Sequence, residues 1–81
     1  MALISVRGFT PQLGEGTFVA PSSMIVGEVV VGKNCSIWFN VTLRGDVASI
    51  QIGNETNIQD GSVIHGTYQK YSTTIHDRVT V

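Results

Sequence analysis

The sequence predicts an all-β protein, a parallel β-solenoid wound from six-residue units. Three observations carry this expectation. The first is composition: Val, Ile and Thr make 27 of 81 residues, while Leu and Ala supply three each. That bias favours strand over helix. The second is a period. Every sixth residue from Val19 is aliphatic: Val19, Ile25, Val31, Ile37 and Leu43. At this chain's aliphatic share, such a run arises by chance about once in 700 fixed registers. The third is a companion column four residues on, Ser23, Val29, Cys35, Val41 and Val47, every member small or β-branched. No window of 11 or more residues shows a 3.6-residue period, so no long helix is expected between Thr17 and Val81.

The same composition excludes several classes. An 81-residue chain makes one domain at most. One cysteine permits no internal disulfide, and no Cys/His cluster has zinc-finger spacing. No apolar run approaches the roughly 18 to 20 residues that span a bilayer, and the N-terminus lacks the pattern of a signal peptide. Five basic against six acidic residues argue against a nucleic-acid surface. A cytoplasmic homo-oligomer, binding neither nucleic acid nor membrane, is the expectation.

The elements follow in chain order. Residues 1–18, with Pro11, Gly14 and Gly16, read as a lead-in strand and turn that cap the first coil. Six-residue units suggest short strands joined by tight turns, and in the known hexapeptide architecture three such sides close a coil of about 18 residues. The coils then run over 19–36, 37–57 and 58–80 in a single domain. The register slips by three residues at Ala48–Gln51 and resumes at Ile52, Ile58 and Ile64, with companions Thr56 and Ser62 and Tyr68 as a misfit. It slips by five more within Gly66–Thr74 and resumes at Ile75. Both slips read as outward loops, which a solenoid tolerates. Three inward ladders result: Val19, Ile37, Ile58 and Val81; Ile25, Leu43 and Ile64; Val31, Ile52 and Ile75. Cys35 belongs to the small inner column and reads as a buried apolar residue.

Side chains alternate faces along a strand, so the polar residues can be placed. His65 points outward above Arg44 and Val26. Gln59 stacks above Trp38 and Ala20. His76 stacks above Gly53 and Gly32 on a different side of the prism, so the two histidines do not meet within one chain. Arg44 and Asp46 alternate on one strand and read as a surface ion pair. Trp38 and Phe39 are adjacent, so one points outward, and an exposed large aromatic there suggests an oligomer contact.

The segments Ser36-Ile-Trp-Phe-Asn-Val-Thr-Leu-Arg-Gly-Asp-Val47 and Asn57-Ile-Gln-Asp-Gly-Ser-Val-Ile-His65 resemble the γ-class carbonic anhydrase family. Phe18-Val-Ala-Pro-Ser and Val26-Gly-Glu-Val-Val-Val-Gly32 extend the resemblance over nearly the whole chain. It implies a left-handed parallel β-helix, against the usual right-handed crossover, assembled as a trimer with zinc, iron or cobalt between subunits. It implies that His65 is a metal ligand and that Gln59, helped by Asn57, orients the metal-bound water or substrate. Arg44 and Asp46 would sit at the subunit interface beside the site, with Asp60 close by. The implied chemistry is reversible hydration of carbon dioxide to bicarbonate, for which zinc lowers the pKa of bound water toward about 7.

The sequence departs from that family in three places. The family's other two histidine ligands lie in a Gly-His-x-x-x-x-His stretch beyond the position of Val81, so the resemblance implies a chain truncated at its C-terminus and by itself inactive, with no tightly bound metal. Val47 stands where the best-studied members have glutamate. The 66–74 insertion lacks acidic residues. The last two remove groups expected to shuttle protons. Two other readings stay open: a non-catalytic solenoid used for assembly, and a hexapeptide acyltransferase using coenzyme A with His65 as general base.

Overall fold

Short β-branched runs, most of them followed within three residues by one with positive φ, form nine strands among the described residues, and every pairing between these strands is parallel. The computed structural model describes residues 1–66 and 72–81. The strands are β1 (Ala2–Ile4), β2 (Gln12–Leu13), β3 (Phe18–Val19), β4 (Met24–Val31), β5 (Ser36–Ile37), β6 (Thr42–Ile52), β7 (Asn57–Ile58), β8 (Val63–His65) and β9 (Thr73–Ile75). They stack as three sides of a solenoid. One side is β3-β5-β7. The second is β1, the first half of β4, the first part of β6, and β8. The third is β2, the second half of β4, the end of β6, and β9. The expected all-β class is what the structure has.

The three ladders form as expected. Ile25 pairs with Leu43 and Leu43 with Ile64; the first two are fully buried and Ile64 is 9% exposed. Val31 pairs with Ile52 and Ile52 with Ile75. Val19 pairs with Ile37 and Ile37 with Ile58. The Asn57–Thr80 bridge sets Val81 over Ile58, where it is half exposed as the outermost described residue of its ladder. Segment 1–18 uses the same registers: Leu3 lies over Ile25 and Leu13 over Val31. An antiparallel bridge, Val6 to Phe9, closes a small loop between β1 and β2.

One expected position is corrected. Val47 is not in the inner column. The register shift falls directly after Gly45, so Val29 pairs with Ile50, and Ile50 is fully buried while Val47 is only half-buried. Both side chains suit a small β-branched column, but Ile50 removes more apolar surface from water. The four residues 46–49 therefore stand opposite Glu28 alone, and the three extra residues fall among them. The next register slip falls after His65, paired with Arg44, and before Thr73, paired with Ile50, and Ser49 Oγ and Ser72 Oγ are 2.9 Å apart. Tyr68 lies outside the described residues.

Cys35 is buried but not merely apolar. Its Sγ donates to the Gly53 carbonyl at 2.9 Å. The same bond recurs in the coils on either side: Thr17 Oγ1 donates to the Gly32 carbonyl at 2.7 Å and Thr56 Oγ1 to the His76 carbonyl at 2.6 Å. A thiol is the weakest donor of the three. Cys35→Thr is expected to raise stability by up to about 1 kcal/mol, and Cys35→Val to lower it by about as much. Urea midpoints at constant slope measure both.

Candidate functional site

The sequence places its chemistry on two sides of the solenoid, and the register shows how far those sides bring it together. On the second side, Val26, Arg44 and His65 lie in one outward column, each pairing with the next. Adjacent rungs are about 4.8 Å apart, so the guanidinium and the imidazole arise from neighbouring points of one face. Asp46 follows Arg44 across Gly45, at the start of the insertion. Its Oδ2 lies 3.5 Å from Arg44 Nε, with the two side chains 30% and 47% exposed. An ion pair so open to water contributes under about 1 kcal/mol. Its other oxygen is different: Asp46 Oδ1 is shielded from solvent and has no hydrogen-bond partner among the described residues. A shielded carboxylate oxygen without a donor is costly.

His65 is exposed, and its Nδ1 lies 3.2 Å from the Gly66 carbonyl. A carbonyl only accepts, so this contact is a hydrogen bond in the Nδ1–H tautomer. That tautomer leaves the Nε2 lone pair free, which is how ligating histidines are commonly oriented. The donor set nevertheless does not make a catalytic metal centre. Such a centre takes three protein ligands, and no group of three His, Cys, Asp or Glu side chains suited to a metal occurs among the described residues. His76 stacks over Gly53 on the third side, as expected, away from the column of His65.

Asn57 and Gln59 lie on the first side, one corner before His65 in the same coil. Ile58 points inward and is fully buried, so its two neighbours face out; Asn57 is half-buried and Gln59 exposed. Gln59 lies above Trp38, whose N–H donates to the Ile58 carbonyl. Trp38 is half-buried, Phe39 is 47% exposed, and Trp38 pairs with Phe18 at a ring separation of 5.4 Å and with Phe39 at 6.4 Å. The structure thus gathers Arg44, Asp46 and His65 on one face and sets Asn57 and Gln59 around one corner from them.

The sequence offers Asp60, with Asn57 and Gln59, as a residue that satisfies turn backbone groups; the structure bears this out for Asp60 and shows that it is one of three such corner residues. Asn54, Asp60 and Asp77 each precede a residue of positive φ: Glu55, Gly61 and Arg78. Each turns a side-chain oxygen back to accept a backbone N–H one coil earlier. Lys33 N–H donates to Asn54 Oδ1 at 2.8 Å, Phe39 N–H to Asp60 Oδ1 at 3.2 Å, and Asn54 N–H to Asp77 Oδ1 at 2.7 Å. The signal available in the sequence was the recurrence of Asx at the turns, clearest in Asp60-Gly61.

Known proteins resemble this chain in sequence and in fold. A sequence-family model described as bacterial transferase hexapeptide (six repeats) matches residues 10–45. A carbonic anhydrase of Geobacillus kaustophilus is 51% identical over 59 residues, 73% of this chain and 32% of that protein. The mitochondrial gamma carbonic anhydrase 2 of Arabidopsis thaliana is 42% identical over 84 residues, 98% of this chain and 30% of that one. The crystal structure of a hexapeptide transferase family protein from Anaplasma phagocytophilum superposes with a TM-score of 0.91 at 40% identity, covering 99% of this chain and 46% of its own. The chain spans about a third of these curated relatives and under half of the solved one. The family implies a metal cofactor and oligomeric members. No helix among the described residues is long and apolar enough to cross a membrane. Parallel six-residue rungs and identities of 40 to 51% over most of its length agree: the chain belongs to the γ-class carbonic anhydrase family of hexapeptide-repeat proteins.

Proposed function

We propose that the chain supplies one metal ligand and the orienting groups of a carbon dioxide hydration site, completed by residues outside it. The single observation that carries this is the outward column of Arg44 and His65 with Asp46 beside it, in a chain 51% identical to a carbonic anhydrase. His65 is the ligand, and zinc, iron or cobalt the metal. One imidazole does not make a catalytic centre, so the remaining ligands would come from outside this chain. The chain's own groups have definite tasks. The Gln59 amide, with Asn57 beside it, holds a polar reactant in orientation. The Arg44 guanidinium stabilises the negative charge of bicarbonate.

A trimer packed on the face of Arg44 and His65 is part of the proposal, with Trp38 or Phe39 at its rim. Two features support it: Asp46 Oδ1, which meets no donor among the described residues, and the exposed apolar residues Ile4, Met24 and Val63 on that same side, which call for cover. A cytoplasmic setting also belongs to the proposal, although the Arabidopsis thaliana relative is a mitochondrial protein. Acyl transfer from coenzyme A is the second reading, favoured by the transferase description of the matching family model.

The test compares two proteins. The 81-residue chain alone is expected to retain no zinc through gel filtration, to hydrate carbon dioxide at the buffer rate, and to sediment as a trimer at micromolar concentration. A chimera carrying it in place of the matching segment of the Geobacillus enzyme is expected to bind metal and hydrate carbon dioxide. In the chimera His65→Ala loses both, while Gln59→Ala keeps the metal and slows turnover. Stoichiometric zinc on the chain alone, abolished by His65→Ala, would overturn the ligand assignment. A β-rich monomer at low micromolar concentration would overturn the assembly, and acyl transfer by the chimera without hydration would favour the second reading.

A further inference from the structure

We propose that Asp60 is a positioning residue of this site, locking the corner that carries the chain from Gln59 to His65. The proposal rests on the reading of those two residues given above. Gln59 ends one side of the solenoid and His65 ends the next, so the turn over 60–62 sets the distance and angle between them. That turn has little packing to hold it: Gln59, Asp60 and Gly61 are exposed and Ser62 is half-buried. Hydrogen bonds hold it instead. The Asp60 carboxylate accepts the N–H of Phe39 at 3.2 Å, and the N–H of Gly61 donates to the carbonyl of that same Phe39 at 2.9 Å. Phe39 is therefore gripped at both ends of its peptide framework by consecutive residues of the next coil. Within the turn, Ser62 N–H donates to the Gln59 carbonyl at 3.3 Å. The left-handed conformation of Gly61, φ 75°, completes it.

Asn54 and Asp77 make the same kind of bond at the corner that leads from the third side to the first. Asp60 makes it at the corner between the first and second sides, where the candidate site lies. The bond needs an acceptor oxygen and not a charge. Asp60→Asn should therefore preserve it and Asp60→Ala remove it, which separates positioning from electrostatics.

Nuclear magnetic resonance of the 81-residue chain tests this without relying on catalysis. In the wild-type chain a scalar coupling across the hydrogen bond should connect the Phe39 amide nitrogen to the Asp60 carboxyl carbon. Its absence would overturn the proposal even if no variant folds. In Asp60→Ala, exchange of the Phe39 amide is expected to accelerate about tenfold. The Gln59 side-chain amide and His65 ring signals should move with it, and in Asp60→Asn all three should stay at their wild-type values. Faster Phe39 exchange with unmoved Gln59 and His65 signals would show a purely local bond and sink the positioning role. Failure of the chimera to hydrate carbon dioxide would instead count against the functional reading, since none of these signals depends on it.

Discussion

Leu43→Asp is expected to leave no folded protein. Leu43 is fully buried, with Ile25 paired on one side of it and Ile64 on the other. Removing the aliphatic side chain from such a site costs about 2 to 5 kcal/mol. A carboxylate confined between two isoleucines has no donor and adds several kcal/mol more. The sum is comparable to the whole stability of a small domain, about 5 to 15 kcal/mol. Far-ultraviolet circular dichroism without denaturant should show loss of the β signal. Leu43→Val, which keeps the ladder apolar, should cost about 1 kcal/mol. A Leu43→Asp chain with wild-type dichroism and a cooperative melt would mean that Leu43 does not face the core.

Gly32→Ala is expected to cost about 2 to 4 kcal/mol, far above an ordinary change of this size. A Cβ at Gly32 would lie 2.7 Å from the Gly53 carbonyl oxygen and 2.8 Å from its carbon, with Asn54 Oδ1 at 2.4 Å. The side-chain oxygen can swing aside; the backbone of the next coil cannot. Val31–Ile52 pairing and the bond from Gly32 N–H to the Ile52 carbonyl, 2.8 Å, fix the rung spacing directly beside the clash. For a domain of this size the melting temperature should fall by roughly 10 to 25 °C. Adding Asn54→Ala removes the nearest atom and should restore little. A full rescue by the double variant would place the obstruction in the side chain and not the coil.

The ladders were legible because an inward site at a rung demands an aliphatic residue every sixth position, and Ile25, Leu43 and Ile64 leave no other register. The first insertion was misplaced because Val47 and Ile50 both satisfy the small inner column; only three-dimensional packing chooses Ile50. Cys35 read as apolar because burial and smallness look the same whether or not a donor is needed; the bond to Gly53 depends on a carbonyl one coil away. The column of Arg44 and His65 followed from strand alternation alone. The shielding of Asp46 Oδ1 did not, since Asp46 lies in the insertion at 46–49, where the six-residue period sets no position. Asx before a left-handed residue could be seen in Asp60-Gly61, but Asn54-Glu55 and Asp77-Arg78 hide it, because Glu and Arg seldom adopt positive φ.

The pairing registers carry a consequence for how the chain reaches this state. Every pairing between strands joins residues 18 to 23 positions apart, from Phe18–Ser36 to Ile50–Thr73. Closing a loop of that length costs on the order of 2.7 kcal/mol beyond a constant, and the cost is nearly the same for every rung. No strand pair is local enough to form cheaply first, so the first closed coil is the nucleus and the barrier. Later rungs meet an edge already in place. Folding should therefore be slow, in the millisecond-to-second range of non-local β topologies. Because sequence separation does not grow as coils are added, each new coil dilutes the relative contact order, and a longer solenoid of this kind need fold no more slowly than a short one.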